Sequence, residues 1–163
     1  MKSALKYIFT FLTVYLIANV WQTRSMPHGA APISTVNEMG SATNLKVPSD
    51  QGQIEFLYFF APWCHVCTLS APNAATVARW FPEIKLRFIA LDYASADEVQ
   101  EFAKEYIKGP AYLGNDAVRS NWSIQGYPTY AIVNAKGEIS QVSVGYSTTI
   151  GMAARVLLAR YGF

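Results

Sequence analysis

The chain is short of cysteine, histidine and charge, and each shortage excludes something. Its 163 residues include two cysteines and two histidines, and 15% of positions are charged. Two cysteines cannot build the multi-bridge framework that staples small exported domains. They stand three positions apart, as Cys64 and Cys67. A disulfide closing so small a loop constrains little unfolded-chain entropy, so a structural role gains little. A two-residue gap is instead the spacing of a redox or metal-binding pair. A structural zinc site takes four ligands, and beyond Cys64, His65 and Cys67 only His28 remains. There is no internal repeat. Nor does the charge balance point to a nucleic-acid partner. Lys2, Lys6 and Arg24 account for three of the 13 basic residues, and none of the 11 acidic residues falls within positions 1–25. The rest of the chain holds 10 basic against 11 acidic residues, so the apparent basicity belongs to the N-terminus.

Hydrophobic residues make up 52% of the chain, more than in an average soluble domain. Part of the excess lies between Tyr7 and Thr23, a run without charge that follows Lys2 and Lys6. A cleaved signal peptide and a retained anchor both fit such a run. Ala18-Asn19-Val20-Trp21-Gln22 makes a poor small-residue cleavage site, and Tyr7 and Trp21 suit the two membrane faces. The reading favoured is an anchor over residues 1–25, a linker over 26–33 and one domain over 34–163. The lysines predict an N-terminus inside and a domain outside the cytoplasmic membrane.

Within the domain, residues 34–53 hold short alternating pieces that suit a hairpin. Ile54 to Phe60 is a nearly continuous apolar run, as in a strand buried on both faces. It breaks at Ala61-Pro62, and Leu69, Ala74, Val77, Ala78 and Phe81 then recur at helical spacing. A second strand is predicted over 84–92. A helix follows from about Ala96 to Ile107, with Ser95 and Glu98 forming a capping box. A short helix is predicted over 116–122, a hairpin over 129–144 and a last helix to about Arg160. Alternating strands and helices demand a parallel component, and the closing hairpin adds antiparallel strands. The fold class is α/β, a mixed sheet with helices on both faces.

Cys64 opens a helix directly after a buried strand. A helix N-terminus offers unpaired N–H groups and partial positive charge, which lower a thiol pKa from its free value of about 8.5. Cys64 is therefore the expected nucleophile. Cys67, three residues into the helix, is the expected resolving thiol. His65 can favour the Cys64 thiolate by hydrogen bonding or charge, a tuning role, against the alternative of an exposed bystander.

Trp63-Cys64-His65-Val66-Cys67 after an apolar strand, Pro72 five residues beyond, and Gly126-Tyr127-Pro128-Thr129 before the next hairpin together resemble the thioredoxin superfamily over about residues 52–163. The resemblance implies a thioredoxin fold and disulfide oxidoreductase activity with no cofactor beyond the Cys64–Cys67 pair. It implies that Pro128 is a cis-proline facing that pair, leaving the Tyr127 backbone to meet an extended substrate. Trp63 shapes the docking surface, and Pro72 kinks the active-site helix. The N-terminal run, Met26-Pro27, Gly52 and the tail Gly145-Tyr146-Ser147-Thr148 look like the membrane-anchored TlpA-like group. Within it they look like the oxidoreductases related to the suppressor of copper sensitivity protein D. That likeness implies a periplasmic domain, exported protein substrates with thiols or disulfides, and a membrane electron-transfer partner.

Two departures stand out. Cytoplasmic thioredoxin has a buried Asp six residues before the first cysteine, where this chain has Tyr58. Many cytochrome-maturation members have a Glu three residues after the second, where this chain has Ser70. Glu55 and Asp92 are substitute carboxylates only if the fold brings one close; the reading favoured for each is a surface charge. The competing reading of the site is a copper-tolerance module holding Cu(I) between Cys64 and Cys67.

Overall fold

A computed structural model of the chain describes residues 2–24, 26–40, 43–49 and 52–162. Helix α1 covers Lys2–Thr23, followed by strands β1 (Gly29–Ala30), β2 (Ser34–Glu38) and β3 (Asn44–Val47). Next come β4 (Glu55–Phe60), α2 (His65–Trp80), β5 (Lys85–Ala90) and α3 (Ala96–Phe102), which runs on into a π-helical turn, Ala103–Ile107. The chain closes with β6 (Ala111–Leu113), α4 (Asp116–Asn121), β7 (Thr129–Val133), β8 (Glu138–Val144) and α5 (Thr149–Tyr161).

The eight strands form one sheet in the order β1-β8-β7-β4-β5-β6-β2-β3. The β4–β5 and β5–β6 pairs are parallel and the others antiparallel. All six residues of β4 are buried, as expected for a strand covered on both faces. Their alternation divides the core. Phe56, Tyr58 and Phe60 join one cluster with α2, α3 and α5, while Leu57 and Phe59 join a second with Val118 and Trp122 near α4. Helices thus cover both faces of a mixed sheet.

Two expectations change. The anchor segment is helical, and its apolar side chains Ile8, Phe9, Phe11, Val14, Ile17 and Val20 are exposed. Among the described residues, however, no helix is long and apolar enough to cross a membrane. The side chains of Lys2 and Trp21 lie outside the described residues. The linker is also shorter than the sequence predicts. Met26 is buried in the second cluster, and Gly29–Ala30 pairs with β8, because that sheet edge still has backbone groups to bond.

Candidate active site

The site is built where β4 ends. Cys64 caps α2 in an extended conformation, and its sulfur accepts a hydrogen bond from Cys67 N at 3.2 Å. The helix N-terminus therefore directs an N–H at the Cys64 sulfur. The two cysteines are joined by a disulfide, with Cα atoms 5.3 Å apart. Cys64 keeps 6% exposure and Cys67 none, so Cys64 is the more accessible of the two. His65 is exposed in the first turn of α2, and Pro72 lies inside that helix.

Three loops converge at this end of the sheet. β7 starts with Thr129 opposite Phe59, which brings Pro128 to the end of β4 from which the cysteines emerge. The Tyr127–Pro128 peptide bond is cis. Trp63 is 67% exposed, which excludes simple core filling. Its indole Nε1 donates to the Asp92 carbonyl at 2.8 Å, and its ring meets Tyr127 edge to face at 5.9 Å. The Asp92 carboxylate accepts from the Tyr127 hydroxyl at 3.1 Å and from Arg119 at 3.3 Å. Partial burial, and then the hydrogen bond to Asp92, push the Tyr127 phenol well above the ordinary tyrosine range. Asp92 itself adopts φ 50°, a left-handed conformation that Asp tolerates better than most residues. Asp92 and Arg119 thus clamp Trp63 and Tyr127 together, a role with no sequence signal because the residues lie far apart in the chain. Next to Trp63 a groove of about 440 Å³ runs past Phe102 and is rimmed by Glu98, Glu101 and Glu105.

The candidate carboxylates part company here. Asp92 reaches the rim, engaged as described. Glu55, expected as a surface charge, is 1% exposed and pairs with Arg87 at 3.1 Å. Ser49 also donates to it through its backbone N–H, at 2.6 Å, and through its hydroxyl. The reason is register. Glu55 and Arg87 both face the second core cluster at the start of their strands, the end of β4 remote from Cys64. The buried face of α2 that carries Cys67, and the strand packed against it, present hydroxyls instead. Tyr58 and Ser70 are both fully buried. Neither hydroxyl meets full hydrogen-bond geometry with a partner among the described residues, although a looser hydrogen-bonding contact with Ser70 works against the burial of the Tyr58 phenol. Burial raises the Tyr58 phenol well above its usual range, so it stays protonated. Among the described residues no three His, Cys, Asp or Glu side chains gather as a metal site.

No family model matches the chain. It is 27% identical over 103 residues to the thioredoxin-like protein YneN of Bacillus subtilis, across 60% of each chain. It is 22% identical over 111 residues to the sporulation thiol-disulfide oxidoreductase A of the same organism, across 64% of this chain and 67% of that one. The alignment thus spans less than two thirds of the length of YneN. Among solved structures, MTB DsbF superposes with a TM-score of 0.70 at 25% identity, covering 77% of this chain and 94% of that one. Sheet order and a cysteine pair at the head of α2 give the chain a thioredoxin fold, and it is similar in sequence and structure to thioredoxin-like thiol–disulfide oxidoreductases.

Proposed function

We propose that the protein exchanges disulfides with exported proteins through the Cys64/Cys67 pair. The observation that carries this reading is the bonded pair at the N-terminus of α2, with Cys64 on the accessible side and Cys67 sealed beneath. In the dithiol state, the Cys64 thiolate attacks one sulfur of a substrate disulfide. A Cys64–substrate bond forms, the substrate bond breaks, and the electron pair leaves on the other substrate sulfur, which takes a proton from water. Cys67 then attacks Cys64, restores the internal disulfide and releases the second substrate thiol. The N–H groups at the head of α2 stabilise the Cys64 thiolate, and His65 tunes it from the first turn. Trp63 and the Tyr127 backbone beside cis-Pro128 receive the extended substrate segment.

The same reading puts the domain on the periplasmic side of a bacterial inner membrane, held there by α1, whose exposed apolar side chains suit a lipid environment. It works as a reductase or general oxidoreductase rather than a dedicated oxidase, with a membrane electron-transfer protein returning it to the dithiol. No observation favours the copper-binding alternative. The test is reduction of insulin disulfides with a thiol reductant. Cys64→Ser should abolish turnover without changing the fold, and Cys67→Ser should stall as a mixed disulfide. Full turnover by Cys64→Ser would refute the reading.

A further inference from the structure

Neither candidate carboxylate is free to meet the Cys67 sulfur. Glu55 is at the far end of β4 with Arg87, and the Asp92 carboxylate is taken up by Tyr127 and Arg119. The packing of β4 against α2 presents a pair of hydroxyls instead. Tyr58 projects from the centre of β4 on the same face as Phe56 and Phe60, toward α2. Ser70 lies one turn beyond Cys67 on α2, and at that spacing both occupy the buried side of the helix. Its neighbours there are Ala71 and Ala74, which offer no side-chain hydrogen bonds. The next hydroxyl along, that of Tyr130, is already bonded to Ser147 at 3.2 Å. Tyr58 and Ser70 are therefore two incompletely paired hydroxyls, fully buried, on the face that carries the resolving sulfur. A buried hydroxyl left unpaired is destabilising. Trp122 Nε1 is also unpaired, but on the opposite face of the sheet.

We propose that the Tyr58 and Ser70 hydroxyls are held for the reduced enzyme, donating hydrogen bonds to the Cys67 sulfur once the disulfide opens and so favouring the dithiol over the disulfide. This rests on Cys64 and Cys67 being the redox-active pair. A sulfur in a disulfide is a poor acceptor and a thiolate a strong one, so reduction supplies the strong partner that both hydroxyls lack. In the resolving step the same donation stabilises Cys67 as the thiolate. The Cys67 thiolate attacks Cys64, the Cys64–Cys67 bond forms, the Cys64–substrate bond breaks, and the electron pair leaves on the substrate sulfur. The proton that Cys67 lost passes to solvent, and the hydroxyls keep theirs throughout. Two neutral groups thereby act on Cys67 by donating hydrogen bonds rather than by accepting a proton.

The test is the equilibrium of the full chain with glutathione, read as the dithiol fraction by alkylation. Tyr58→Phe and Ser70→Ala each remove one hydroxyl with little change of shape. Each should shift the equilibrium constant toward the disulfide by more than about tenfold, the worth of one hydrogen bond to a charged acceptor such as a thiolate. In urea denaturation the oxidised variants should be as stable as the parent or more so, and the reduced variants less. A structural role alone would weaken both states equally and leave the equilibrium unmoved. An unchanged constant in both variants, or a shift toward the dithiol, overturns the proposal and leaves the oxidoreductase reading intact. A parent protein that does not exchange with glutathione at all would instead overturn that reading and this proposal with it.

Discussion

Replacing Glu55 by Gln leaves the Arg87 guanidinium 3% exposed and without its counter-charge. Stacking of Arg87 over the Tyr112 ring at 5.3 Å and the Ser49 bonds cannot replace that charge. Removing one partner of a buried ion pair costs about 3–5 kcal/mol, and urea denaturation of Glu55→Gln should show a loss of that order. Since Glu55 sits at the end of β4 away from the cysteines, the glutathione equilibrium should stay put. A loss below 1 kcal/mol would mean that the site is wetter than its burial implies. At this scale the cysteines were legible because their chemistry and their spacing coincide. Glu55 was not: a carboxylate at the head of a strand reads as exposed until the partner strand brings an arginine beside it. The Asp92 clamp was equally hidden, since its partners Trp63, Arg119 and Tyr127 meet only after folding.

Helix starts were legible at the level of elements, because capping is local. Ser95 accepts from Glu98 N at 3.3 Å, and the Glu98 carboxylate returns to Ala94 N. Thr148 and Asn115 cap α5 and α4 in the same way. Helix α3 departs from expectation by running into a π-helical turn. Strand β6 was missed because three residues between Pro110 and Gly114 carry too little pattern to register. It forms because β5 offers it an open parallel edge. Gly114 then turns the chain so tightly against β5 that a Cβ would lie 2.6 Å from Leu91 Cδ2 and 3.1 Å from the Ala90 carbonyl. The leucine can turn aside, but the carbonyl cannot move without disturbing β5. Gly114→Ala should therefore cost about 1–3 kcal/mol, measured by thermal or urea unfolding. An unchanged midpoint would show that β6 can shift freely.

For the whole molecule, the question is which side of the membrane the cysteines face and in which state they are kept. A membrane-impermeant thiol reagent applied to intact cells, with and without prior reduction, answers both. Labelling without permeabilisation is expected, and mostly free thiols before reduction would mark a reductase. Labelling only after lysis would refute the periplasmic placement, and thiols found mostly as disulfide would refute the reductase direction. The apolar α1 and the cysteine-bearing domain thus make separate predictions, one about place and one about chemistry.

By itself the sequence determined the local matters: the cysteine pair, the strand that precedes it, the helix caps and the alternation that makes a mixed sheet. Each depends on residues within a few positions of one another. Tertiary structure alone decided what meets across the sheet. It buried Glu55 against Arg87, joined Asp92 to Trp63 and Tyr127, and set the hydroxyls of Tyr58 and Ser70 on the buried face that carries Cys67. Those contacts follow from strand register and helix packing, where distant positions come together and burial, not sequence spacing, sets their worth.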